Sequence, residues 1–199
     1  KENTDMSIII GIDVGGSTTK IVGFDISDDK RILLKPVTVK ATDPVASVYG
    51  AFGKFTSENG VDIKDIKRVM LTGVGSTYIG DNIFGVPTLH VDEFTAVGRG
   101  GLYLSKLSEA VIVSMGTGTA LVYAKSGTEP EYLGGTGVGG GTLIGLSKKA
   151  LRMENVRQIE ELAADGNLEN VDLTISDITK KNIIPTLSSE ATAANFGKL

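Results

Sequence analysis

The stretch GIDVGGSTTK, residues 11–20, joins two apolar segments through a turn of glycines and hydroxyl side chains. The segments SIIIGIDV (7–14) and TKIVGFDI (19–26) are rich in β-branched residues and so close in sequence that they predict a β-hairpin. Glycines at such a turn let backbone N–H groups approach an anion, whereas Asp13 repels a phosphate unless a hydrated Mg²⁺ lies between them. An ordinary hairpin turn without a ligand is the alternative at this point.

A second hairpin with similar ingredients lies at AVIVSMGTGTALVYA, residues 110–124, where the turn is GTGT (116–119). Each hairpin opens a strand-rich unit that leads to a helix. The repeat predicts an α/β protein of two related subdomains, residues 6–107 and 108–199, with a cleft between them. Two turns that face each other across a cleft could hold a polyphosphate from both sides.

Helix and strand signals fill in the rest of this arrangement. Asp43 is a good N-cap, Pro44 suits the first helical position, and Gly60 is a natural end for the same helix. The remaining predicted elements are strands at 31–39, 67–72 and 131–133, with Pro36 marking an edge or bulge, and helices at 92–106, from about Thr142, and at 156–164.

The loop GGTGVGGG, residues 134–141, contains six glycines in eight residues. Gly135, Gly137 and Gly140 form a G-x-G-x-x-G pattern, but a dinucleotide-binding unit also requires a second strand that ends in an acid, and none follows. Apolar, structured flanks disfavour a flexible linker. The loop therefore predicts an anion-binding helix start, where free N–H groups and the helix dipole favour negative charge.

Composition removes several function classes. The 199 residues include no cysteine, which excludes disulfides and thiolate metal sites, and this usage fits the cytosol. The net charge of −4 disfavours nonspecific binding to nucleic acids or anionic membranes. No apolar run approaches the roughly 20 residues that span a bilayer.

The segment VDEF, residues 91–94, offers a candidate general base. Glu93 lies where a strand is expected to meet a helix, and a carboxylate there could accept the proton of an alcohol during phosphoryl transfer. An acid that merely stabilises the helix N-terminus is the commoner role, and spacing alone favours it. His90, the single histidine, lacks partners for a metal site.

Together these motifs resemble the type II pantothenate kinases of the acetate kinase/sugar kinase/Hsp70/actin superfamily. The resemblance rests, in order along the chain, on GIDVGGSTTK (11–20), VDEF (91–94), VSMGTGTALV (113–122), GGTGVGGGTLIGL (134–146) and ATAANFG (191–197).

The resemblance implies a ribonuclease H-like, actin-like ATPase fold with an ATP cleft, and ATP-dependent phosphorylation of pantothenate at its primary hydroxyl. It implies Mg²⁺ near Asp13, Glu93 as the catalytic base, a homodimer in the cytoplasm, and neither nucleic-acid nor membrane partners. The residues that it places at the nucleotide are Asp13, Val14, Gly15, Gly16, Ser17, Thr18, Thr19, Lys20, Thr117, Gly140, Gly141, Thr142, Leu143 and Ile144.

Two departures from the family pattern bear on function. Many family members have an arginine where this chain has Tyr132, which bears on the substrate, and Arg99 lies elsewhere in the predicted fold. The family chain also continues beyond ATAANFG, so we expect an incomplete second subdomain with an exposed sheet edge and apolar surface. The alternatives are a related kinase of another small alcohol, and a noncatalytic or slow ATP-binding regulator.

Overall fold

The computed structural model describes residues 7–27, 31–40, 43–179 and 187–199. The chain divides into two compact units, Lys1–Thr142 and Leu143–Leu199. The first unit contains both predicted hairpins, and each unit is described below by itself.

A mixed sheet of seven strands forms the first part of the larger unit. Its strands are β1 (Ile8–Val14), β2 (Thr18–Asp25), β3 (Ile32–Leu33), β4 (Val37–Lys40), β5 (Ile66–Thr72), β6 (Asn82–Ile83) and β7 (Val86–His90). The order is β3-β2-β1-β5-β7-β6, and β4 also pairs with β2. Strands β1 and β2 are antiparallel, which confirms the first predicted hairpin, whereas β5 runs parallel to β1 and to β7.

The predicted strand at 31–39 is two short strands, β3 and β4, that both pair with β2. Pro36 lies between them, and it cannot donate a ladder hydrogen bond because it has no N–H. The sequence predicted an edge or bulge at Pro36 within one strand, and the structure interrupts the strand there. A strand was expected to end just before Glu93, and β7 is that strand, for which the sequence analysis gave no bounds.

Helix α1 (Pro44–Asn59) covers one face of this sheet. The predicted caps are confirmed: Asp43 Oδ1 accepts a hydrogen bond from the Ala46 N–H at 2.7 Å, and Gly60 ends the helix at φ 64°. Alternate residues of β1 point toward the helix and are buried with its apolar side chains. The largest members of this core are Ile8, Ile10, Ile12, Ile21, Phe52, Phe55, Leu71 and Ile83.

A second sheet of three antiparallel strands follows, in the order β10-β9-β8. Its strands are β8 (Glu109–Met115), β9 (Thr119–Lys125) and β10 (Glu131–Thr136), and β8–β9 confirms the second predicted hairpin. Val111, Val113 and Met115 of β8 are 51%, 51% and 80% exposed, so one side of the edge strand presents apolar surface.

Helix α2 (Glu93–Ser105) packs against the second sheet, although the predicted boundary assigns it to the first subdomain. Close approach requires glycine here, because a Cβ at Gly101 would lie 2.5 Å from the Ile112 side chain. Tyr103 of the same helix meets Phe24 of β2 edge-on at 5.5 Å. The helix thus contacts both sheets, and the division at residue 107 stays a prediction.

Helix α3 (Gly140–Leu151) begins in the first unit, two residues before the predicted start, and continues into the second. The second unit adds α4 (Val156–Ala164), as predicted, and the short α5 (Ile175–Ile178). Strand β11 (Leu173–Thr174) pairs with β12 (Thr192–Ala194). Hydrogen bonds lower the pKa of Asp177 to about 2. The largest single contribution comes from Lys198, and Thr174 makes smaller ones. No helix within the described ranges combines the length and hydropathy needed to cross a membrane.

Candidate active site

The β1–β2 turn is closed by a hydrogen bond from the Gly15 N–H to the Thr18 carbonyl at 3.0 Å. Asp13 and Lys20 lie opposite each other in the register, and Lys20 Nζ is 2.9 Å from Asp13 Oδ2. The two side chains are 37% and 55% exposed. Exposed ion pairs contribute about 0–1 kcal/mol, so a ligand could separate this pair at small cost.

Strand alternation decides which predicted residues of this turn present side chains to solvent. Val14 and Thr19 are fully buried, and Thr19 Oγ1 finds no hydrogen-bond partner among the described residues. The expectation that Thr19 adds a hydroxyl to an anion site is therefore corrected, because the side chain points into the core. Ser17 and Thr18 are exposed and partly exposed, and they keep their hydroxyls available.

The backbone of Gly73, the residue after β5, packs closely against Asp13. The sequence analysis missed this contact. Its φ of 89° lies in the left-handed region that favours glycine. A Cβ at Gly73 would lie 2.6 Å from both Asp13 Oδ1 and the Val14 carbonyl oxygen. The only sequence signal was a glycine immediately after a buried strand.

The β8–β9 turn meets the β1–β2 turn directly. Ser17 Oγ and Thr117 Oγ1 are 3.1 Å apart, across 100 residues of sequence. The second turn is closed by a hydrogen bond from the Gly116 N–H to the Gly118 carbonyl at 2.8 Å. The structure therefore brings together the two turns that the hairpin repeat singled out.

The glycine loop packs on the β8–β9 turn. The N–H groups of Gly140 and Gly141 donate to the carbonyls of Gly116 and Thr117, at 2.9 and 3.0 Å. The prediction that this helix start offers free N–H groups is corrected at these two positions, since both amides already hold the neighbouring turn. A Cβ at Gly139 would lie 2.7 Å from the Thr117 carbonyl oxygen.

Two other glycines remain open. At Gly16 and Gly137, a Cβ would meet no atom within 4 Å in the part of the chain that the structure describes. Packing among the described residues therefore does not require glycine at these two positions. Gly137 also accepts a 3.1 Å hydrogen bond from Thr142 Oγ1, which places it beside the start of α3.

Glu93 is the first residue of α2, and Asp92 caps that helix by accepting a hydrogen bond from the Thr95 N–H at 2.9 Å. Partial burial of the carboxyl group raises the pKa of Glu93 above its ordinary value, and the charges of Asp13 and Asp92 raise it further. Lys20 acts in the opposite direction. Glu93 is thus electrostatically coupled to the Asp13–Lys20 pair of the first turn.

Tyr132 lies in β10 and stacks on Phe94, with ring centroids 4.2 Å apart and an angle of 17° between the planes. Phe94 directly follows Glu93 in α2, so the stack joins β10 to the residue after the candidate base. Arg99 of α2 is paired with Glu129, which lies just before β10.

The remaining predicted site residues lie in α3. Leu143 and Ile144 are its fourth and fifth residues, and they are 65% and 37% exposed. Their role as nucleotide contacts stays a prediction. No group of three or more His, Cys, Asp or Glu side chains suited to a metal ion occurs within the described ranges.

Comparison with known proteins gives a consistent result. Residues 108–199 match the family model described as Fumble. A type II pantothenate kinase from Bacillus cereus strain G9842 is 31% identical over 208 residues, which cover 97% of this chain and 67% of the relative. The type II pantothenate kinase of Staphylococcus aureus strain USA300 is 30% identical over 193 residues, with coverages of 94% and 66%. The chain thus spans about two thirds of the length of these curated relatives.

Solved structures identify the fold. Component A of the (R)-2-hydroxyglutaryl-CoA dehydratase from Acidaminococcus fermentans superposes with a TM-score of 0.63 at 14% identity, covering 85% of this chain and 62% of the other. At that identity the likeness concerns the fold alone. The predicted actin-like ATPase fold is confirmed.

Proposed function

The chain belongs to the family of type II pantothenate kinases, and from this premise we propose that it transfers the γ-phosphoryl group of ATP to the primary hydroxyl of pantothenate, the first step of coenzyme A biosynthesis. The observation that carries the proposal is the meeting of the two hairpin turns through Ser17 and Thr117, 3.1 Å apart. The charges of Asp13 and Lys20, on the two strands that the first turn joins, act on the Glu93 carboxyl group.

The two turns bind the phosphates of ATP in this proposal. Backbone N–H groups and hydroxyls of a turn are suitable donors to phosphate oxygens, and Ser17 and Thr117 supply one hydroxyl from each turn. The open glycines, Gly16 and Gly137, let phosphates approach the backbone without a steric clash. The glycine loop acts chiefly by fixing the second turn through the amides of Gly140 and Gly141.

Asp13 is the residue that fits a magnesium ion. Mg²⁺ usually takes one or two protein carboxylates together with phosphate oxygens and water, and Asp13 offers a partly exposed carboxylate beside the phosphate turn. The backbone at Gly73 cradles this carboxylate in space that a Cβ would fill. When bound, the ion offsets the negative charge of the phosphates. Lys20, released from Asp13, can then donate to a phosphate oxygen.

Glu93 acts as the general base. A carboxylate whose pKa lies above its ordinary value is a better proton acceptor, and partial burial and the charges of Asp13 and Asp92 shift Glu93 in this direction. Its place at the N-terminus of α2 fixes the carboxylate on a regular element. The ionised form accepts the proton of the acceptor hydroxyl as the bond to phosphorus forms.

The test is ATP consumption with and without pantothenate, in the wild type and in Glu93→Gln. We expect turnover that depends on pantothenate in the wild type and a loss of about 10²–10⁴-fold in the variant, which is the usual contribution of a general base. If the rate of ATP turnover is the same with and without pantothenate, the assignment of pantothenate as the substrate is wrong. Undiminished turnover in Glu93→Gln would remove Glu93 from the role of base.

The same assay separates the alternatives. A related small-alcohol kinase would consume ATP only with a different alcohol, and an ATP-binding regulator would hydrolyse ATP slowly whatever alcohol is added. The homodimer and the cytoplasmic location stay predictions.

A further inference from the structure

The stack of Tyr132 on Phe94 forms an aromatic wall at the start of α2, the helix whose first residue is Glu93. The two rings are nearly parallel, 4.2 Å apart, and they join the start of α2 to strand β10. Tyr132 is nevertheless 48% exposed, so one part of its ring is covered by Phe94 and another part faces solvent. A ring held in this way is a preformed surface for a ligand, because stacking already restricts its rotamers.

Strand β10 has a β-bulge immediately after Tyr132. The register with β9 shifts between Tyr132, opposite Val122, and Gly134, opposite Leu121, so Leu133 is an extra residue. Gly134 has a φ of 135°, which few residues other than glycine adopt. Such bulges often lie next to active sites, where they redirect a side chain.

The phenol group of Tyr132 is available for a ligand. Its hydroxyl makes no hydrogen bond to any residue that the structure describes. A Cβ at Gly135 would lie 2.9 Å from this hydroxyl oxygen, so the oxygen lies over the beginning of the glycine loop. The ring therefore extends from Phe94, the residue after Glu93, toward the loop that holds the second phosphate turn.

We propose that Tyr132 binds the acceptor alcohol, with its ring as an apolar wall and its hydroxyl as a hydrogen-bond donor to an uncharged oxygen of the acceptor. This inference rests on the proposed function and adds the chemistry of the acceptor pocket. Pantothenate suits such a wall, because its primary hydroxyl lies next to a quaternary carbon with two methyl groups, followed by a hydroxyl and an amide.

The Tyr132→Phe variant tests the hydroxyl alone, since phenylalanine keeps the stack on Phe94. We expect the KM for the acceptor to rise about 3- to 10-fold, the loss of one neutral hydrogen bond, with the KM for ATP changed less than about twofold. Tyr103→Phe is the matched control: it removes a partly exposed phenol further along α2, and both KM values should stay unchanged. An unchanged acceptor KM in Tyr132→Phe, or an equal rise in both KM values, would overturn the inference.

A second variant tests the ring. Tyr132→Leu removes the aromatic wall, and we expect a larger rise in acceptor KM than in Tyr132→Phe, with circular dichroism verifying that the variant folds. If the leucine variant folds and matches the phenylalanine variant in acceptor KM, the ring does not bind the acceptor.

The proposed function and this inference fail in different ways. If wild-type turnover requires another primary alcohol, the assignment of pantothenate is wrong, and the same variants are measured with that alcohol. If pantothenate is phosphorylated but Tyr132→Phe behaves as the wild type, only the inference is wrong. If no primary alcohol supports turnover, both are wrong.

Discussion

Replacement of Gly139 by alanine should separate the structural glycines of the loop from those that face a ligand. A Cβ at this position would lie 2.7 Å from Gly118 Cα and from the Thr117 carbonyl oxygen. Both atoms belong to the backbone, so no flexible side chain can move aside. Relief requires the loop to leave the turn, which would break the hydrogen bonds that Gly140 and Gly141 donate to it.

The cost follows from these contacts. Overpacking costs about 1–3 kcal/mol, and each of the two neutral hydrogen bonds contributes about 0.5–1.5 kcal/mol, so we expect Gly139→Ala to lower the free energy of unfolding by roughly 2–6 kcal/mol. Urea unfolding followed by circular dichroism measures this change. The KM for ATP should also rise, because the second phosphate turn loses its support.

Gly137→Ala is the matched control in the same loop. Among the described residues nothing lies within 4 Å of its added Cβ, so stability should change by less than about 1 kcal/mol. If ATP phosphates approach this position, the variant should still weaken ATP binding. Equal stability of Gly139→Ala and the wild type, or equal destabilisation by both substitutions, would refute the account of the loop.

Three further changes test other parts of the site and fold. Asp92→Asn keeps a helix cap but removes a charge that raises the pKa of Glu93, so the acid limb of kcat/KM should move to lower pH; a limb that stays in place would exclude this coupling. Gly73→Ala should cost about 1–3 kcal/mol in urea unfolding and raise the Mg²⁺ concentration needed for half-maximal activity, since its Cβ would press on Asp13; unchanged values of both would contradict that support. Asp43→Ala should cost about 1 kcal/mol through the lost α1 cap without affecting the KM for ATP, and Asp43→Asn should be nearly neutral.

Local signals predicted the elements that carry the fold. Asp43, Pro44 and Gly60 define the ends of α1 because capping and backbone conformation are properties of short segments. The two hairpins followed from apolar segments on either side of short turns. Strand β7 had no predicted bounds, because it has only five residues and includes Pro87, which disfavours a strand assignment.

The site was predictable only in part because its decisive contacts are long-range. The two turns could be identified from residues 12–20 and 116–119, but their contact through Ser17 and Thr117 is a tertiary result. Glycine composition also cannot distinguish Gly139, which packs on backbone, from Gly137, which faces open space.

The stack of Tyr132 on Phe94 is another long-range contact that the sequence could not predict. The sequence marked Tyr132 as a departure from an arginine in the family pattern, and no local signal predicted its stack on Phe94. That stack requires α2 and β10 to come together, and their sequence positions lie far apart. Thr19 was misjudged for a related reason, since strand alternation sends its hydroxyl into the core.

The central claim is phosphoryl transfer from ATP to pantothenate in a site built on two facing hairpin turns. Its most direct test is mass spectrometry of the products after incubation of the wild-type protein with ATP, Mg²⁺ and pantothenate, with ADP measured in the same sample. We expect pantothenate that has gained one phosphoryl group, in a one-to-one ratio with the ADP formed. Formation of ADP and free phosphate with pantothenate unmodified would contradict it.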